Sequence, residues 1–209
     1  MKEQAHKYTH TEERRAEIAE AARAIILERG FEGLRTREIA ARVGINISTL
    51  HYHVPSKKAL VELVAETLHR SFTEHYAGVL LEGLNPLEEL RGLIDDYKDV
   101  MLNRPELLQL ADVLGHRAAF DPDLGETVIA MRRYWLGLFV KILQRGKDMG
   151  TFRASLVPEA AAHMIVGALV AFQYKPRHLL PLFDGVADEI VRSVIAVEKE
   201  RKDDVATPE

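Results

Sequence analysis

Cysteine is absent from the 209 residues, which excludes disulfides, thiol nucleophiles and Cys-ligated zinc or iron–sulfur centres. Long apolar runs are absent too. The most apolar stretch, Ala160 to Tyr174, is interrupted by His163 and Gln173 and falls short of the roughly 18 residues that a membrane span needs. The first residues, MKEQAHKYTHTEERR, have no apolar core of the signal-peptide kind. These absences set the expectation of a cytoplasmic protein with no membrane partner.

Catalytic signatures are equally scarce. Neither G-x-S-x-G nor G-x-G-x-x-G occurs, and Gly146-Lys147 lacks the preceding strand, the first glycine and the following Ser or Thr of a phosphate loop. His75, His116, His163 and His178 are scattered and match no ligand spacing such as H-E-x-x-H. His51 and His53 are two residues apart and so point to different faces of a helix. The chain is therefore expected to be no enzyme, with no catalytic residues, no metal and no cofactor.

What is present is a globular composition, 47% hydrophobic and 29% charged, too apolar for a disordered chain. The net charge of −4 is uneven. Lys and Arg outnumber Asp and Glu over residues 1–70, and the reverse holds beyond. The first third also holds five of the nine histidines, which makes it the end to inspect for nucleic-acid contacts.

Nearly the whole chain reads as helix, because Pro and Gly fall at intervals that punctuate helices and no segment alternates with period two. A first helix is expected from Thr9 or Thr11, with Ile18, Ala22, Ile25 and Ile26 on one face and Gly30 closing it. Thr36 is placed as the cap of a short helix, Arg37 to Val43, which Gly44 ends. Asn46 caps Ile47 to His53, and Val54-Pro55 breaks that helix. Ser56 opens a long one carrying Leu60, Leu63, Val64 and Leu68.

Asn85-Pro86-Leu87-Glu88, Pro105, Asp121-Pro122 and Pro158 mark further starts. The last two helices are expected to run to Tyr174 and from Leu182 to Lys199, with a frayed tail at Lys202–Glu209. The reading is an all-α protein of about nine helices.

Residues 36–53 have the shape of a helix-turn-helix. Gly44 supplies the positive φ of a tight corner, and Ala40, Ile45 and Leu50 are placed to lock the two helices together. That leaves Ile47, Ser48, Thr49, His51, Tyr52 and His53 exposed, where hydroxyls and rings reach base edges, thymine methyls and phosphates. Ser56-Lys57-Lys58 then opens the next helix with free N–H groups and two ammoniums suited to a phosphate.

The string TREIAARVGINISTLHYHVPSKKAL resembles the DNA-binding domain of TetR-type transcriptional regulators, and the resemblance extends over residues 12–70. Arg145-Gly146, Gly150-Thr151-Phe152-Arg153 and Pro158-Glu159-Ala160-Ala161 are similar to that family's connection between its seventh and eighth helices. The resemblance implies that Thr36 touches a phosphate and Arg37 a base edge or phosphate. It implies that Ile47, Ser48 and Thr49 face bases, Tyr52 and His53 lie against backbone or thymine methyls, and Lys57 pairs with a phosphate. His51 stands where the family usually has tyrosine, and Lys58 where an acidic residue is common.

On this reading residues 1–70 form the DNA-binding domain and 71–209 an effector-binding and dimerisation domain. Tyr97, Met101, His116, Trp135, Phe139 and His163 are the candidates to line a small-molecule pocket. Helix 158–174 is apolar almost all round and needs burial on two sides. Gly167, Ala168 and Ala171 on it, with Val186, Ile190 and Val194 on the last helix, are the expected homodimer contacts.

The expected function is that of a repressor gripping a palindromic DNA operator and released by a small hydrophobic or aromatic effector. Such an effector is expected to tilt the long helix after Ser56 and so to change the separation of the two reading heads. A helical small-molecule-binding protein without an operator is the alternative.

Overall fold

The computed structural model describes residues 2–79, 85–175 and 177–196, and these are almost wholly helical. Nine α-helices appear among the described residues. They are α1 (Lys2–Arg29), α2 (Thr36–Val43), α3 (Ile47–His53), α4 (Lys57–Val79), α5 (Pro86–Asn103), α6 (Pro105–Ala118), α7 (Pro122–Asp148), α8 (Pro158–Phe172) and α9 (Leu182–Val194). Single 3-10 turns lie at Phe31–Gly33 and Arg177–Leu179.

Local chemistry explains most of the boundaries. The Asn46 side chain accepts the Thr49 amide at 2.7 Å, Ser56 Oγ accepts the Ala59 amide at 3.0 Å, and Asn85 accepts the Leu87 amide at 3.0 Å. Gly44 closes α2 at φ 72°, a left-handed conformation that side chains with a Cβ disfavour.

Other boundaries differ from expectation. α1 begins at Lys2, so Thr9 and Thr11 lie inside it rather than capping it. Thr36 is the first residue of α2, and the cap position belongs to Arg35, which makes no side-chain capping bond. α8 stops at Phe172 rather than Tyr174. α9 stops at Val194 because the chain then pairs with a distant segment. Ile195 forms an isolated antiparallel bridge with Phe152, with Arg153 N–H donating to Val194 O at 2.9 Å and Ala196 N–H to Thr151 O at 3.2 Å. The segment expected as a frayed tail, Lys202–Glu209, lies outside the described residues.

The chain divides into two compact units. The first is residues 1–74 with 106–131, and the second is 75–105 with 132–209. In the first, Ile18, Ala22, Ile25, Ile39, Leu50, Leu60 and Val64 share one hydrophobic cluster with Leu110 and Leu114 of α6 and Leu124 and Val128 of α7. Burying such side chains stabilises by about 1.5–3 kcal/mol each before entropy is counted. The two short helices of the motif are thereby packed with α1 and α4 into one head.

In the second unit α5 packs on α9, joined at the surface by Lys98–Asp184 at 2.5 Å and Arg91–Asp188 at 3.4 Å. Glu89 of α5 is buried and paired with Arg145 of α7. Among the described residues no helix is long and apolar enough to cross a membrane.

Candidate nucleic-acid interface

The turn between α2 and α3 is short because Gly44 reverses the chain and Ile45 N–H returns to Ala40 O at 2.9 Å. Leu50, 1% exposed, anchors the inner side of α3 in the core. The other side is left open. Ile47 is 39% and Tyr52 77% exposed, Ser48 and His51 are also exposed, and Thr49 and His53 are half-buried. An exposed aromatic and an exposed isoleucine on a seven-residue helix are costly to leave in water, and both are useful against base edges and thymine methyls. The Tyr52 and His53 rings meet edge to face, centroids 5.1 Å apart, which restricts both.

A surface recess of about 490 Å³ lies beside this helix-turn-helix, where the starts of α2 and α4 meet. Arg35, Thr36, Arg37, Glu38 and Lys57 line it. The structure therefore brings together Thr36, Arg37 and Lys57, three of the residues expected at DNA. It adds Arg35, which the sequence reading passed over. The signal was a third basic residue next to Thr36 and Arg37, visible only once α2 is known to start at Thr36.

Not every arginine of the head is available. Arg42 donates to Glu28 at 2.7 Å and to Glu38 at 3.0 Å, while Arg29 donates to Glu38 at 2.7 Å. These bonds, first of all that to Glu28, hold the Arg42 guanidinium protonated well above its ordinary range. Reciprocally, Arg42 lowers the Glu28 carboxyl. This network ties α1 to α2.

The residues expected around an effector are placed less uniformly. Tyr97, Met101 and Phe139 are buried in the second unit. Trp135 is half-buried there, with Tyr97 stacked on it and Phe139 edge-on at 5.6 Å. His116 belongs to the first unit and stands exposed on α6, 3.9 Å from Asp112; His163 is exposed on α8.

Beside the aromatic group, His75 Nε2 lies 2.6 Å from Asp96 Oδ1. Burial and then the Asp96 charge push the neighbouring Tyr76 phenol strongly up, and burial does the same to Tyr97.

The expected dimer contacts are split between surface and core. Gly167 and Ala171 are exposed, Ala168 and Val186 half-buried, and Ile190 and Val194 buried beneath them.

Comparisons with known proteins agree with this geometry. Residues 18–64 match the family described as bacterial regulatory proteins, tetR family. The chain is 24% identical over 172 residues to the HTH-type transcriptional repressor NicS of Pseudomonas putida, covering 82% of this chain and 81% of that protein. It is 28% identical over 151 residues to the HTH-type transcriptional repressor KstR2 of Mycobacterium tuberculosis, 68% of this chain and 71% of that one.

In fold it resembles a TetR-family regulator from Agrobacterium tumefaciens, with a TM-score of 0.73 at 20% identity over 89% of this chain and all of that one. It also resembles a regulator from Saccharomonospora viridis solved with choline, at a TM-score of 0.76, 17% identity and the same coverage. With an exposed α3, a basic recess beside it and a matching family profile across that segment, residues 18–64 carry the helix-turn-helix region of the tetR family of bacterial regulatory proteins.

Proposed function

We propose that this regulator is a cytoplasmic repressor that binds a pseudo-palindromic operator as a homodimer and is released by a small hydrophobic or aromatic effector. The observation carrying the DNA half is the open face of α3, flanked by the Arg35, Thr36, Arg37 and Lys57 recess. Lys57 and Thr36 hold phosphates and set the register, while Ile47, Ser48, Thr49 and Tyr52 read base edges. His51 and His53 lie against the backbone at the far end of the helix. Two such heads on a twofold axis grip successive major grooves about 34–36 Å apart.

The dimer is assigned to α8 and α9. Met164, 68% exposed, Gly167 and Ala171 line an outward face of α8, and a groove of about 490 Å³ runs between that helix and α9. Small residues let a second copy approach closely, and the groove offers apolar walls to its side chains. The effector is assigned to the second unit, against Tyr97, Met101, Trp135 and Phe139, where aromatic walls meet a few polar groups. His116 and His163, both exposed, are not included in that group.

α4 begins in the first unit and ends in the second, as α7 also does, and α4 is assigned as the element through which an effector acts on the head because it also carries Lys57 of the recess. Linkage then requires operator DNA to weaken effector binding by the same factor that effector weakens operator binding. The repressor names of NicS and KstR2 support the direction of regulation.

Selection from a random double-stranded pool at fixed physiological salt tests the whole reading. An enriched inverted repeat is the expected result. A folded protein that enriches nothing favours a small-molecule-binding protein without an operator.

A further inference from the structure

Helix α3 ends under unusual constraints. Val54 continues its hydrogen bonding, donating to Leu50 O at 2.8 Å, and Pro55 next has no N–H to give. The carbonyls of the last turn therefore need donors from elsewhere. Arg15 supplies one. Its Nη1 donates to the His53 carbonyl oxygen at 2.8 Å in a part-buried setting, across 38 residues of sequence. A guanidinium at a helix C-terminus satisfies an orphan carbonyl and complements the negative end of the helix dipole. The adjacent Arg14 is engaged differently, with Glu17 at 2.6 Å on the same helix.

We propose that Arg15 is a positioning residue for DNA recognition, pinning the C-terminal end of α3 to α1 so that Tyr52 and His53 are held at the angle that base reading requires. The recognition helix is then fixed at both ends, by the Asn46 cap at its start and by Arg15 at its finish. Seven residues make too short a helix to hold its own geometry in water, so the pitch of its exposed face is set by these two anchors and by the buried Leu50. The proposal rests on α3 as the DNA-reading helix.

The test compares wild type, Arg15→Ala, Arg15→Lys and Arg14→Ala on one duplex enriched by the wild type from a random pool, and on an unrelated duplex of equal length. Affinities are measured over a range of salt, at a temperature where each variant is folded by circular dichroism. Arg15→Ala is expected to lose about tenfold on the selected duplex and far less on the unrelated one, with the salt slope unchanged. Arg15→Lys, which keeps a charged donor, recovers part of the loss, and Arg14→Ala loses nothing.

A uniform loss on both duplexes with a slope lower by about one unit overturns the proposal and makes Arg15 a phosphate contact. Full affinity in folded Arg15→Ala overturns it as well. Should Arg15→Ala not fold, Arg15→Lys decides, since a reduced ratio of selected to unrelated affinity supports positioning and a wild-type ratio overturns it. A wild type that enriches no duplex removes the assignment of α3 itself, a failure distinct from these.

Discussion

The indole of Trp135 lies stacked against the Tyr97 ring, centroids 5.2 Å apart and planes 23° from parallel. The chain has no other tryptophan, so its fluorescence reports directly on the group proposed to meet the effector. Titrating a panel of small hydrophobic and aromatic compounds is expected to change that emission for any true effector. The same compounds should weaken operator binding. Tyr97→Ala should lower effector affinity by about tenfold while leaving DNA affinity intact, a loss in keeping with the ~0.5–1.5 kcal/mol of a stacked pair.

At the DNA surface the recess makes a sharper forecast. Lys57→Ala should weaken binding to all sequences alike and lower the salt slope by about 0.9. Tyr52→Ala, by contrast, should cost about 1–3 kcal/mol on the selected duplex and relax its sequence preference. Quantitative footprinting on selected and altered duplexes separates the two patterns.

Glu89 and Arg145 should respond unequally to substitution. Glu89 is 6% exposed while much of the Arg145 side chain reaches solvent. Arg145→Ala leaves a buried carboxylate without its partner, and a loss of about 2–4 kcal/mol is expected. Glu89→Gln frees an arginine that water can take over and should cost less. Urea unfolding of both variants measures the asymmetry.

Acid should remove one of the head's ties. Glu28 titrates below its ordinary value because of the Arg42 bond. A carboxyl lowered in the folded state adds stability above its unfolded value, and that contribution is lost as pH falls through the folded one. The difference in melting temperature between wild type and Arg42→Ala should therefore be constant near neutrality and vanish well below about pH 4. High salt should shrink it at any pH, since the pairs are exposed.

The proposed dimer face predicts an oligomeric change. Ala171→Arg sets a bulky charge on an exposed position of α8, facing its own copy across a twofold axis. Sedimentation should show a monomer, with the selected inverted repeat bound far more weakly and a single half-site little affected.

Much of this was legible in the sequence where the cause is local. Asn46, Ser56 and Asn85 announce helix starts because a cap acts within three residues. The face of α3 could be read because one anchored residue, Leu50, fixes which way the others point. Local cues misled at Thr9 and Thr11, which sit inside a helix that begins earlier, and at Thr36, which is the first residue of α2 rather than its cap.

What stayed hidden depends on partners far along the chain. Val194 ends α9 because of Thr151, Phe152 and Arg153. Arg15 meets His53 across 38 residues. Gly146 is small because the Phe152 ring lies where its Cβ would be, a contact that no spacing rule reveals. The expected cut near residue 70 followed the order of the motifs, whereas packing places α6 with the N-terminal helices.

That last arrangement bears on how the protein is made. The core around Ile18, Ile39 and Leu50 includes Leu110, Leu114, Leu124 and Val128, so the head cannot close its interior until synthesis has passed residue 131. Until then a nascent chain carries an unfinished apolar surface for the time its α5 segment takes to emerge. An isolated fragment ending at residue 74 would carry that surface permanently, making it a poor substitute for the full chain and a ready target for chaperones.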